Sequence, residues 1–316
     1  MFGALAVAYL FLGGAGAGAV LVACLVDLLR VRAPFGPDAR LGTHEMPPEE
    51  RAVAATMLAG LLAVGLGIVC LVLDLGRADR ILALVLHPSL SLITLGAYAL
   101  GALLACAALL TAVRYAYLPR VPRTLVRGVE VVCVPLSVAV ALYTGLLLWQ
   151  IGAVELWHSP LVPALFVLSA LSCGAALGLL SARMSGATTL AHVLARCDAA
   201  LIAIEVVLAA LFMVQGTLRS GEAMGRLLTG DLALSWWGGF VLCGMLVPLA
   251  VELACLVWPA RGREAGTLVA VAALLVLLGG VCLRAGLAQA GRAPTLALAG
   301  EAAATQPQPH DSPRLV

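Results

Sequence analysis

The chain has 316 residues, of which 62% are hydrophobic and only 11% charged, with a mean hydropathy of +1.06. A soluble domain carries about 45–50% apolar and about 25% charged residues, so this composition excludes a soluble globular enzyme, a disordered protein and a nucleic-acid binder. The formal charge of +2 adds little, although every one of the nineteen basic residues is Arg. What remains is an all-α polytopic membrane protein, because a chain in lipid must satisfy its own backbone hydrogen bonds.

Eight apolar stretches of spanning length follow one another at 4–29, 52–73, 92–113, 126–151, 161–182, 197–218, 234–258 and 265–287. About 20 residues cross the roughly 30 Å of bilayer hydrocarbon. The first stretch has no basic leader and is too long for a cleaved signal, so it reads as a retained span. Prolines punctuate the breaks: Pro34, Pro37, Pro47 and Pro48 in the first, Pro88 in the second, Pro119 and Pro122 in the third. Two four-helix bundles are expected, over 1–151 and 152–290. Residues 291–316 turn polar, with Gln306-Pro-Gln-Pro309, and are expected to be a disordered tail.

Arginine bias sets the expected orientation. The breaks after spans one, three, five and seven hold twelve Arg, and the other side holds seven, Arg77, Arg80, Arg219, Arg226, Arg284, Arg292 and Arg314. The odd-numbered loops are therefore expected in the cytoplasm and both termini outside. Trp149, Trp157, Trp236 and Trp237 fit an aromatic belt at the outer interface, and Tyr115, Tyr117 and Trp258 one at the inner interface.

Span one is rich in small residues, with Gly13, Gly14, Gly16 and Gly18 interspersed with alanines, and span five has a weaker version at Ser169–Ala176. Small residues let helix backbones approach closely. The same stripe also leaves room for a flat ligand. Nine Cys are scattered singly and no CxxC occurs, so they read as buried thiols, with neither Fe–S nor structural zinc expected. The five His sit in loops, at span ends or in the tail, and no haem is expected.

Acids inside spans are costly and often functional. Asp198 and Glu205 lie seven apart, two turns on one face of span six and roughly 10 Å apart along the axis. Glu130 in span four and Glu252 in span seven lie at similar depth. These acids suit a proton route from the cytoplasm, with Glu205 the deepest. The competing reading pairs them with Arg127, Arg196 or Arg261, or lets them snorkel to the interface.

The expected outer half holds Asp74-Leu-Gly-Arg77, Leu86-His-Pro88, Tyr143-Thr-Gly-Leu-Leu147 and Leu156-Trp-His-Ser-Pro-Leu161. Asp74 and Arg77 are three apart and can meet on one helical face. Tyr143 lies about two turns below the surface, where its hydroxyl needs a partner. With Tyr9-Leu-Phe-Leu-Gly-Gly-Ala-Gly-Ala-Gly18, these pieces form an ordered set on eight spans. In that set the sequence resembles the polysulfide reductase membrane-subunit family, also called the NrfD/PsrC family, over roughly residues 5–290.

The resemblance implies a membrane subunit that binds menaquinone or menaquinol non-covalently in its first bundle and carries no haem or Fe–S cluster itself. It implies a ferredoxin-like Fe–S partner, joined to a molybdopterin catalytic subunit. On this sequence it makes Tyr143 the candidate for a quinone headgroup oxygen. Asp74, Arg77 and His158 become candidates for the pocket rim or the partner dock, and Tyr9 for a polar pocket residue. Glu205, Asp198 and Glu130 remain the proton-route candidates. A secondary transporter is the rival class, to be marked by Gly- or Pro-broken helices at matching places in both halves. Pro135 and Pro248 interrupt spans four and seven, which do not correspond under a one-to-five repeat. A structural anchor with a decayed quinone site is the third reading.

Overall fold

A computed structural model describes residues 3–29, 47–75, 92–115, 121–150, 155–219, 221–257 and 263–291. Among them the chain forms α1 (Ala4–Leu29), α2 (Pro48–Leu75), α3 (Leu92–Tyr115), α4 (Arg123–Trp149), α5 (Leu161–Met184), α6 (Thr188–Arg219), the short α7 (Gly221–Leu228), α8 and α9 (Arg263–Ala290). Helix α8 begins as a π-helix over Leu234–Leu246 and continues as an α-helix over Val247–Val257. All except α7 are long and apolar enough to cross a membrane, which makes this an eight-span, all-helical membrane protein.

Local chemistry explains the helix ends. Pro48, Glu49 and Glu50 open α2, the fixed ring and the acids suiting the first turn. Between α5 and α6 the chain reverses through Gly186, whose φ of +76° suits a residue without Cβ. The Ala187 amide donates to the Ala182 carbonyl at 2.8 Å and the Gly186 amide to the Arg183 carbonyl at 3.2 Å. This closes α5 with a Schellman motif. The neighbouring α6 starts nine residues before the span expected at 197–218, taking His192 and Arg196 into the helix. The stretch 219–233, expected as a loop, contains α7, whose Met224 and Leu227 are buried. There Arg226 pairs with exposed Asp231 at 2.8 Å and holds its carboxyl below the usual carboxylate range.

Helices α1 and α5 form the centre. In their most apolar windows 72% and 67% of residues are buried, against 28–44% in the other spans. A Cβ at Gly18 would fall onto the Ala170 carbonyl of α5, and one at Gly174 onto the Gly18 backbone. These two helices therefore cross in direct backbone contact. The glycines of α1 are used for packing on several sides, which favours the tight-packing reading over a slot for a flat ligand. Leucines and valines such as Leu62, Leu66, Val69, Val207, Leu211 and Val214 point outward, as a lipid-facing surface requires.

Two aromatic expectations need correction. Trp236 and Trp157 are core residues rather than interfacial belt residues. Trp236 is packed on Phe240 and Phe212 with ring centroids 5.0 and 6.0 Å away. Trp157 donates its indole N–H to the Leu287 carbonyl at 2.9 Å. Both sit at the depth of the belt, but their faces turn inward, which sequence depth cannot reveal. Trp149 and Trp237 remain partly exposed, as a belt requires.

Candidate functional site

Tyr9 of α1 and Tyr143 of α4 are both buried, and their phenol groups lie beside each other. The polar group that faces Tyr143 at this depth is thus another phenol. Its ring lies directly on Gly96 of α3, where any Cβ would overlap it. Tyr9 in turn lies over Gly13, with its ring carbon 3.8 Å from where a Cβ would stand. A hydroxyl carries one hydrogen and two lone pairs. When one phenol donates to the other, the second keeps its hydrogen for a further acceptor. This pair is a buried, oriented donor among apolar side chains of α1, α3 and α4, chemistry that fits the carbonyl oxygen of a quinone.

The rim candidates lie around this pair at different depths. His158 is exposed and packs its ring on Trp149, with centroids 6.2 Å apart. Trp149 lies six residues beyond Tyr143 on α4, about 9 Å further along the axis. The structure therefore connects His158 to the tyrosines through the end of α4 and not by contact. Asp74 closes α2, with its Oδ1 3.3 Å from where a Cβ on Gly3 would stand, at the start of α1. An acid there faces the positive end of the α1 dipole. Arg77 falls outside the described residues, so its expected pairing with Asp74 does too.

The intramembrane acids are placed differently from the pairing expected of them. Glu130 accepts from Arg114 of α3 at 2.9 Å, and Arg114 also pairs with Asp27 of α1 at 2.5 Å. Arg127 is not its partner, because α4 turns Glu130 into the helix bundle. Beside this cluster the thiols of Cys24 and Cys106 lie near that of Cys133. Asp198 accepts from Ser172 of α5 at 2.6 Å and lies against Glu252 of α8. Glu205 is also buried, two turns along α6 from Asp198. None of the four acids snorkels, since their relative exposures are 4% or less. The protein interior surrounds them, leaving no path along lipid to the interface.

Arg284 is the site residue that sequence reasoning missed. Its position in the chain groups it with the outer arginines, yet it is fully buried between α1, α5 and α9. It donates to the Leu10 carbonyl at 3.1 Å, Ser169 Oγ at 3.0 Å, the Gly280 carbonyl at 3.0 Å and the Phe166 carbonyl at 3.5 Å. Its guanidinium also lies over the rings of Phe11 and Phe166, at 5.8 and 5.1 Å from their centroids. Glu205 and Cys173 share its electrostatic surroundings. The available signal was Arg284 standing one turn beyond the Gly279-Gly280 pair, which leaves a guanidinium room on the inner face. Among the described residues no group of three or more His, Cys, Asp or Glu is arranged to hold a metal ion.

Comparison with known proteins finds related sequences along the chain. The family model described as "Polysulphide reductase, NrfD" matches residues 1–293. The C subunit of polysulfide reductase from Wolinella succinogenes is 27% identical over 306 residues, covering 90% of this chain and 92% of that protein. Protein NrfD of Escherichia coli is 28% identical over 272 residues, covering 77% and 81%. The Protein NrfD homolog of Haemophilus influenzae matches a shorter stretch, 26% identical over 136 residues, covering 41% and 42%.

Proposed function

The chain belongs to the NrfD polysulphide reductase family, and from that premise we propose that it is the quinone-reactive membrane subunit and anchor of a multi-subunit oxidoreductase. In this reading it exchanges electrons between menaquinol and an Fe–S partner subunit. The partner is ferredoxin-like and joined to a molybdopterin catalytic subunit. The complex lies in the bacterial cytoplasmic membrane, with both termini of this chain and the partner on the outer side. Residues 1–151 form the quinone-binding bundle and residues 152–290 the second bundle. The single observation that carries the reading is the buried Tyr9–Tyr143 hydroxyl pair on Gly96.

Menaquinone, when bound, supplies two-electron, two-proton redox chemistry. The residues of this chain do the rest. Tyr143 donates to a headgroup oxygen, and Tyr9, lying beside it, holds the Tyr143 hydroxyl in place. Asp74 and His158, with Arg77, line the route by which protons leave toward the outer face or by which the partner docks. A carboxylate or imidazole within reach serves as a proton acceptor. Glu205, Asp198 and Glu130 carry protons from the cytoplasmic side and couple turnover to charge movement. The family match gives the transporter reading no support.

The test uses the purified complex in proteoliposomes. Tyr143→Phe removes one hydroxyl and leaves the ring on Gly96. A buried hydrogen bond contributes about 1 kcal/mol and more when its loss leaves a group unsatisfied. We expect menaquinol oxidation to fall by about tenfold or more, with less menaquinone retained after purification. Unchanged rate and unchanged bound menaquinone would sink the assignment. In the same vesicles Glu205→Gln is expected to abolish proton translocation while quinol oxidation persists. Intact translocation would remove Glu205 from the route.

A further inference from the structure

The acids of the second half are packed in a way that neither the pairing nor the snorkelling expectation covers. Asp198 and Glu252 come from different helices, α6 and α8, and both are completely buried. Their carboxyl groups face each other across the α6–α8 packing and interact directly. Ser172 donates to Asp198 Oδ1. Asp198 Oδ2 and both oxygens of Glu252 are buried with no hydrogen-bond donor among the described residues. The charged and titratable neighbours do not change this. Glu205 on α6 is a further acid, Cys173 on α5 is a thiol, and the Arg284 guanidinium on α9 is committed to carbonyls and Ser169. No described cation touches either carboxyl.

Two carboxylates cannot hydrogen-bond to each other, because both are acceptors only. A carboxyl O–H can donate to the neighbouring carboxylate, and then the contact is attractive. Buried acid pairs resolve like-charge repulsion by retaining one proton between them. A metal cation is a poorer occupant, because only Ser172 adds an oxygen beside the two carboxyls.

We propose that Asp198 and Glu252 form a proton-binding site in which the two carboxyls share a single proton, with Ser172 orienting Asp198. The site carries one net negative charge, and it ties α6 to α8 through a hydrogen that can leave only when the pair is separated or a second acceptor arrives. Glu205, two turns along α6, is a further buried acid of the cluster. The proposal deepens the proton-route reading by naming where a proton rests, and it rests on that reading only for where the proton goes next.

Infrared spectroscopy of the purified protein at neutral pH tests it. The wild type is expected to show a buried carboxylic acid C=O stretch that belongs to this pair and shifts in D2O. Glu252→Gln and Asp198→Asn should each abolish that band, since an amide N–H then takes over the shared hydrogen's place. Persistence of the band in both variants, or its absence from the wild type, overturns the proposal. So does its removal by added Na⁺ at constant pH, which would mean a metal cation between the carboxyls. If a variant fails to fold, Ser172→Ala, which leaves both carboxyls in place, is used instead: removing the hydroxyl from Asp198 is expected to shift the band, and an unshifted band overturns the pair. Proton translocation in proteoliposomes is measured separately. A lost band with intact translocation removes the pair from the route while leaving the shared proton in place.

Discussion

Two buried arginines sit in opposite electrostatic settings within this protein. Arg114, at the end of α3, is held by two carboxylates, Asp27 and Glu130. Arg284, within α9, is held by three carbonyls, a serine and two aromatic rings, with no carboxylate hydrogen-bonded to it. In the first setting each charge depends on another charge that would be stranded if its partner left. In the second the cation is solvated by dipoles that lose little when it goes, because helical carbonyls keep their own backbone bonds. The lesson is that a buried charge is expensive to remove in proportion to the charges that lean on it, and less so to its depth.

The largest effect should come from breaking the first setting. Arg114→Met leaves Asp27 and Glu130 buried without a counter-ion. Breaking a buried pair costs about 3–5 kcal/mol, so a fall of many degrees in the unfolding midpoint in detergent is expected. Adding Asp27→Asn and Glu130→Gln should restore most of the loss, since the stranded charges are then gone. A single Arg114→Met variant as stable as the wild type would dissolve the comparison. The smaller effect should come from Arg284→Met, which fills similar volume and strands no hydrogen-bonded carboxylate. Replacing buried charge with a well-packed apolar side chain is often neutral, so a change of at most about 1 kcal/mol is expected in the same melt. A loss as large as that for Arg114→Met would mean that Glu205 depends on Arg284 far more than their arrangement suggests.

Much of this is legible in the residues. Seven of the eight spans begin and end within four residues of the apolar stretches, because hydropathy and length are one-dimensional properties that lipid imposes directly. The start of α6 is the exception. His192 and Arg196 look like loop residues, although a helix can extend beyond the bilayer with its polar side chains exposed. The Tyr143 hydroxyl visibly needs a partner, but that partner, Tyr9, lies 134 residues away in the chain, and only the packing of α1 on α4 selects it. Trp236 and Trp157 illustrate the converse. Their depth is readable, and the direction they face is not.

By itself the sequence determined that this is an eight-span helical membrane protein, where its spans lie, and that acids, tyrosines and a small-residue stripe are available within them. Composition and length suffice there, since the bilayer demands apolar, self-satisfied helices whatever surrounds them. Only the tertiary structure decided which buried groups meet: Tyr9 with Tyr143, Glu130 with Arg114 in place of Arg127, Asp198 with Glu252, and Arg284 with carbonyls. Lipid leaves the rotation of each helix about its axis nearly free. That rotation is fixed by backbone contacts such as Gly18 on Ala170 and by hydrogen bonds that pair polar groups across helices, and neither is written in any one span.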